Sequence, residues 1–354
     1  MNEERLSGRL AAAIAESGPI SVAKYMAAVN AHYYATRDPF GAAGDFTTAP
    51  EISQIYGELV GLCLADLWIR AGRRPSHFVE LGPGRGTLSA DALRAMATVG
   101  WLPDVHLVET SPLLEAMQAQ RVPQAEWHKH VSALPTDAPL LIVANEFFDA
   151  LPIQQIIRCD DGWRQRRIGV EDGTFLFTQG PLVPLSIITE SLKDAAVGSI
   201  IESCPDAVDI MRQVCQRIGE QGGAMLIVDY GYAGPALGDT LQALSRHEFA
   251  DPLVEPGERD LTAHVDFTTL AAMAELCGLA VNGAVDQGLW LGRLGLAERA
   301  ASLAVAHPDR AADLMAGSER LSAPEQMGRL FRVMAITSGD GPLPAGFAPA
   351  GFAN

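Results

Sequence analysis

The chain has 354 residues, with 26 Lys and Arg against 43 Asp and Glu, a formal net charge of −17 and 48% hydrophobic residues. A hydrophobic share of that size excludes an intrinsically disordered chain, and the length allows about two domains, or one with large insertions, at ~150 residues each. The surplus of acids argues against a nucleic-acid partner, because a phosphate backbone needs a Lys/Arg surface, and it favours basic partners.

In chain order, residues 3–16 and 20–30 are predicted as short helices. GDFTTAPEIS (44–53) is a polar, Pro-containing loop leading into a helix at about 51–70, with Leu59, Leu62, Cys63 and Leu67 as its buried stripe. The apolar run Leu59 to Ile69 contains Asp66 and is shorter than the ~18 residues of a membrane span, so no membrane insertion is expected. HFVEL (77–81) is a strand, GPGRG (82–86) a turn, TLSADALRAM (87–96) a helix and DVHLVE (104–109) a second strand. Pro112 suits the first position of the next helix. WHKHV (127–131) is a weak third strand, PLLIVA (139–144) a fourth and AMLIVDY (224–230) a fifth. This alternation predicts an α/β fold around a buried, mostly parallel sheet.

Asp-Gly pairs at 161–162 and 172–173 predict an antiparallel meander inserted over 153–178. Asp260-Leu261-Thr262 reads as a turn, and Asp266 as the cap of a helix over 267–279. Residues 292–330 read as helical, 331–337 as the last strand, and the Gly/Pro-rich end from 341 as a frayed tail. The implied segments are 1–70, 71–152, 153–222, 223–291, 292–330, 331–338 and 339–354.

Five cysteines (Cys63, Cys159, Cys204, Cys215, Cys277) are widely spaced and form no CxxC, which suits a reducing compartment. Glu3 and Glu4 stand where a signal or transit peptide would be free of acids, so the cytoplasm is expected. His128 and His130 would share a strand face without a visible third ligand, so a surface or core pair is expected rather than a metal site. No GxSxG, HExxH or GxxxxGK[ST] occurs.

Glu80-Leu81-Gly82-Pro83-Gly84-Arg85-Gly86 lies between a strand and a helix, where glycines let a ligand approach backbone N–H groups. Glu109, 23 residues after Gly86, ends the next strand, where an acid can accept both hydroxyls of a ribose. A dinucleotide fingerprint would put Gly or Ala at 87, where Thr87 stands. Glu80 would repel a pyrophosphate but suits the cationic methionine end of S-adenosylmethionine. At the end of the fourth strand, Asn145 can orient a nitrogen acceptor through its carbonyl, and Glu146 and Asp149 can hold a cation such as a guanidinium. Phe147 or Phe148 can stack on its flat face. The plainer reading is a helix start, with Asn145 or Asp149 as cap and the phenylalanines as core.

GDFTTAPEISQIYGELVG (44–61), FVELGPGRGTLSADALR (78–94), ANEFFDALPI (144–153), DYGY (229–232) with GDTLQALSRH (238–247), and PGERDLTAHVDF (256–267) occur in this order. Together they resemble the MidA family, which includes the mitochondrial complex I assembly-factor methyltransferase, over about residues 20 to 337. The resemblance implies a class I S-adenosylmethionine-dependent methyltransferase fold, Rossmann-like with a seven-stranded, mostly parallel sheet. It also implies symmetric dimethylation of an arginine on the 49-kDa-type subunit of respiratory complex I. By position, Glu80, Gly82, Gly84 and Gly86 would form the cofactor loop and Glu109 would hold the ribose. Thr47, Thr48 and Glu51 would cover the cofactor. Asn145 to Pro152, Asp229 and Tyr230 would face the substrate, with His247 and His264 as further polar candidates.

A guanidinium, with a pKa above ~12, is a poor nucleophile, so carboxylates must hold it and the proton must leave through a carboxylate or water. Glu146 is the first candidate and Asp149 the second; the double-glutamate segment of better-known arginine methyltransferases is not present. Rival readings are methylation of another nitrogen (a glutamine amide or an adenine amine), a non-catalytic assembly chaperone, and last an NAD-dependent oxidoreductase. The inserted segments leave a homodimer open.

Overall fold

The apolar runs in the middle and at the end of the chain become the strands of one sheet. The computed structural model of the protein describes residues 5–37, 47–245, 248–339 and 341–347; His247 lies outside them, as do Gly44 to Phe46 of the loop expected to cover the cofactor. Two units separate: Met1–Phe46 with Phe148–Asp209 and Tyr232–Thr268, and Thr47–Phe147 with Ile210–Gly231 and Thr269–Asn354.

The sheet belongs to the second unit. The seven strands of its main path are β1 (His77–Leu81), β2 (Asp104–Val108), β3 (Ala125–His128), β4 (Leu140–Asn145), β5 (Gly223–Tyr232), β6 (Ala280–Asp286) and β7 (Phe331–Thr337), with the two-residue strand Val265–Asp266 paired to β5 off that path. They lie in the order β6-β7-β5-β4-β1-β2-β3. Five neighbours run parallel from β5 to β3, and β7 is antiparallel to both of its neighbours. Every residue of β1 and β4 is buried, as expected of parallel strands covered on both faces. The expected α/β class and seven-strand, mostly parallel sheet are therefore present. Strand order reverses between β1 and β4, which makes their carboxyl ends the switch point where ligands enter such sheets.

Three expectations are corrected in this unit. β3 begins two residues earlier than predicted, and His130 falls outside it; the shift puts Ala125 beside Val105 in the ladder. The helix α1 (Gln54–Arg70) buries Leu59, Val60, Cys63, Leu64 and Leu67, but Leu62 is exposed. The burial follows Gly57 and Gly61, which press α1 onto α2 (Thr87–Thr98): a Cβ at Gly61 would lie 2.6 Å from the backbone of Ala92. The tail is packed rather than frayed over 341–347. Phe347 joins the main core with Phe78, Leu141, Trp290 and Val333, and Trp290 Nε1 donates to the Ala345 carbonyl at 3.2 Å.

In the first unit the meander forms as expected. Gln154–Cys159, Gly162–Glu171 and Thr174–Leu182 run antiparallel, the second hairpin turning on Asp172-Gly173 as expected and the first on Asp160-Asp161, with Gly162 already in the strand opposite Cys159; Ile200–Ser203 and Ile20–Ser21 extend the sheet. Helices Leu6–Ser17 and Val22–Thr36 contribute Leu10, Ile14, Tyr25 and Met26 to a core with Ile153, Ile168 and Leu261. Asp260–Thr262 is a strand paired to Gln242–Ser245, not a turn. The Tyr34 hydroxyl donates to Asp260 at 2.7 Å, which lets an acid be buried in that strand. Asp266 does cap the next helix, accepting from Thr268 N–H at 3.0 Å.

Candidate active site

In the second unit, the carboxyl ends of β1, β2 and β4 each carry an acid. Glu80, on β1, is 2% exposed and accepts from the hydroxyl and backbone N–H of Ser89 on α2. Burial pushes its carboxyl up to about 7 against the pull of those two hydrogen bonds. The following loop depends on left-handed glycines: φ is +63° at Gly82, +53° at Gly84 and +77° at Gly86. A Cβ on Gly82 would also meet the Phe147 ring at 2.8 Å. The loop is tied down by Gly82 N–H donating to Val108 O at 3.0 Å and Gly86 N–H to Pro83 O at 2.7 Å.

Glu109, just beyond β2, accepts from Ser111 N–H at 2.7 Å and from Gln118 Nε2 at 3.1 Å. Burial raises its carboxyl, with those bonds opposing. Gln118, fully buried on the helix Pro112–Arg121, also donates to Gly84 O at 2.7 Å and accepts from Trp127 Nε1 at 2.8 Å. One amide thus joins the glycine loop, the acid and β3. Sequence reading missed it; its only sign was a polar residue on the inner face of an amphipathic helix.

Beyond β4, no helix starts: the chain bends and turns through 146–151. Glu146 adopts the left-handed region at φ +51°, which is uncommon for a residue with a Cβ. Its Oε1 accepts from Ala49 N–H at 2.9 Å and from Asn145 Nδ2 at 3.1 Å. The Asn145 carbonyl in turn accepts from the buried Tyr56 hydroxyl. Each end of the Asn145 amide makes one such bond, which links Tyr56 to Glu146. Tyr56, which sequence reading also missed, is held protonated by burial and then by the fields of Glu146, Asp229 and Glu80.

Asp229 is wholly buried on β5, accepting from Phe147 N–H at 3.2 Å and Tyr230 N–H at 3.0 Å. The Tyr230 ring meets Phe331 edge-on at 5.5 Å. The Asp229 carboxylate thus ties β5 to the chain just after Glu146. Glu51 turns to the loop: it accepts from Thr87 and lies 3.6 Å from Arg85 and 3.7 Å from Arg121. Thr47 and Thr48 lead into the short helix Ala49–Ile52, which Thr48 caps through its carbonyl, accepting Glu51 N–H at 3.1 Å.

Phe148, Asp149 and His264 fall in the first unit. Phe148 and Asp149 are buried, and the Asp149 carbonyl accepts from Ala263 N–H at 2.9 Å. Asn30 ties the same segment together, donating to Ala150 O at 3.0 Å and Leu261 O at 2.8 Å. Tyr34 is raised well above the usual tyrosine range by burial, then by Asp260 and, more weakly, Asp149. His264 is half-buried; its N–H donates to Thr240 at 2.9 Å, and burial lowers its imidazole pKa.

Over residues 59–285 the chain matches a protein family described as S-adenosyl-L-methionine-dependent methyltransferases. The chain belongs to this family. The methyltransferase is 37% identical to the Drosophila melanogaster "Protein arginine methyltransferase NDUFAF7 homolog, mitochondrial", with 94% of the chain and 85% of that protein covered. It is 35% identical to the Mus musculus "Protein arginine methyltransferase NDUFAF7, mitochondrial", covering 91% and 82%. A Burkholderia thailandensis protein solved with S-adenosyl-homocysteine bound superposes with a TM-score of 0.85 at 27% identity, covering 97% of this chain and 94% of that one. The family resemblance read from the five sequence blocks holds, and the methyltransferase uses S-adenosyl-L-methionine. The Drosophila and mouse relatives are named as mitochondrial, so they lend no support to the expected cytoplasmic location. No helix among the described residues is long and apolar enough to cross a membrane.

Proposed function

We propose that this methyltransferase modifies an arginine of a protein substrate. We further infer symmetric dimethylation on the 49-kDa-type subunit of respiratory complex I, in support of its assembly. The observation that carries the arginine reading is Glu146, an acid at the ligand-binding edge of the sheet whose Oε1 is fixed by a backbone N–H and a neighbouring amide. Two further points support it. The chain carries a charge of −17, which draws in a basic partner. Relatives covering more than nine-tenths of it bear the name protein arginine methyltransferase.

The loop suits S-adenosylmethionine. Gly82, at φ +63° and against the Phe147 ring, holds the loop in a turn that a residue with a Cβ would disturb, and a cation beside Glu80 would return that raised acid to its ionised form. Glu80 would therefore receive the ammonium end, Glu109 the ribose hydroxyls, and the glycine loop the close approach. When bound, the cofactor supplies a methyl group on a sulfonium, an electrophile ready for in-line displacement. Glu146 would hold the guanidinium on one side and localise its charge away from the nitrogen to be methylated. The proton displaced from that nitrogen leaves to a carboxylate or water. Asp149, three residues on, is the second acid proposed for this role.

The test is product analysis by mass spectrometry after incubation with the complex I subunit and S-adenosylmethionine. Dimethylarginine is expected, and Glu146→Gln should lower kcat by about 10²–10⁴ with cofactor affinity kept. Methylglutamine in its place, or full turnover in Glu146→Gln, would overturn the arginine reading with Glu146 as its acid. Asp149→Asn, measured in parallel, shows which of the two acids carries the larger loss.

A further inference from the structure

A second group of ionisable side chains sits on strands of the second unit without any part in the reaction above. His77 on β1, His106 on β2 and His128 on β3 are all buried. In the parallel ladder, His106 pairs with Glu126 and Val108 with His128. Glu126 and His128, two residues apart, therefore share one face of β3 with His106 alongside. His106 Nδ1 lies 3.0 Å from His128 Nε2, and the Glu126 carboxylate is 3.9 Å from each of those nitrogens. Behind them, His106 Nε2 is 3.2 Å from His77 Nδ1, and His77 Nε2 is 3.1 Å from Asp137.

The Asp137 carboxylate sets the direction of this chain. It accepts a hydrogen bond, so His77 carries its proton on Nε2 and accepts at Nδ1 from His106 Nε2–H. That arrangement leaves the lone pair of His106 Nδ1 facing His128 Nε2. We propose that His106 Nδ1, His128 Nε2 and the Glu126 carboxylate bind one first-row transition-metal ion of the zinc type.

Two imidazoles and a carboxylate are a donor set that selects such an ion over Mg²⁺ or Ca²⁺. The short separation of the nitrogens fits two metal bonds of about 2.0–2.1 Å meeting near a right angle. The Glu126 side chain is 71% exposed, free to swing onto the ion and to leave a remaining position to water. The ion takes the place of the proton that His128 otherwise donates, and His128 shifts to its Nδ1–H tautomer. His77 and Asp137 supply the outer hydrogen bonds that orient a metal-bound imidazole. β3 is the last strand of the sheet, and the His128 carbonyl accepts from Glu109 N–H at 2.9 Å. Occupancy therefore fastens the sheet edge beside Glu109.

The test uses the full chain without an affinity tag, dialysed against chelator, and titrated with Zn²⁺, Co²⁺ or Mg²⁺. The expected result is about one Zn²⁺ bound per chain by calorimetry and elemental analysis, a rise in Tm, and visible absorption from bound Co²⁺. Mg²⁺ should do none of this. Glu126→Gln, at an exposed position that does not threaten folding, should weaken Zn²⁺ at least about tenfold, and His128→Gln should abolish it. No saturable Zn²⁺ binding in the wild type, or equal affinity in Glu126→Gln, would overturn the proposal.

Discussion

At the residue scale, Glu80 makes the clearest pH statement. Its folded carboxyl is raised from 4.5 to about 7, so between those values the folded state holds a proton that the unfolded chain has released. Its contribution to the stability of the cofactor-free protein is full below about pH 4.5 and is lost as pH rises through 7, by roughly 3 kcal/mol. Thermal melts across pH 5 to 8 should show that decline, and Glu80→Gln should flatten it. Cofactor affinity should move the other way, rising up to about tenfold per pH unit toward 7 and levelling above, because the cation favours ionised Glu80. Gln118 offers a second check. Gln118→Ala strips partners from Trp127 Nε1 and Glu109, so it should cost about 1–3 kcal/mol in urea unfolding and weaken S-adenosylmethionine binding. The acids and glycines of this edge were legible because their chemistry is local: a strand, a glycine run and an acid at the end of the next strand. Tyr56 and Gln118 were not, since each matters through a partner on a distant element that no spacing rule reveals.

At the element scale, the α1–α2 contact is a packing feature that leaves no room for a side chain at Gly61. Gly61→Val places branched atoms against the Ala92 backbone, which cannot give way as a flexible side chain can. A loss of about 1–3 kcal/mol is expected, read as a lower urea midpoint at unchanged slope. The parallel strands were readable as apolar runs, and the meander as Asp-Gly turns between β-type segments. The position of β3 was misjudged because, as a partly exposed edge strand, it lacks a fully apolar pattern. The tail misled for a related reason. Its Gly and Pro content says loop, but only the fold reveals the core that receives Phe347. The pairing of His128 with His106, rather than His130, follows from inter-strand register, which the order of residues along one strand cannot supply.

At the scale of the whole molecule, the charge of −17 bears on how a basic substrate arrives. Association with a basic protein should weaken as salt rises from about 50 to 300 mM, raising KM several-fold while kcat holds steady. Steady-state kinetics across that range would show it; a KM indifferent to salt would speak against charge-guided capture. Every proposed role above follows from S-adenosylmethionine binding at the Glu80–glycine edge. The most direct measurement is calorimetric titration of S-adenosylmethionine and, separately, NAD into the wild type and Gly82→Val, with circular dichroism to verify that the variant is folded. The expected result is saturable binding of S-adenosylmethionine by the wild type, none of NAD, and loss of binding in a folded Gly82→Val. Unchanged affinity in that variant would contradict it.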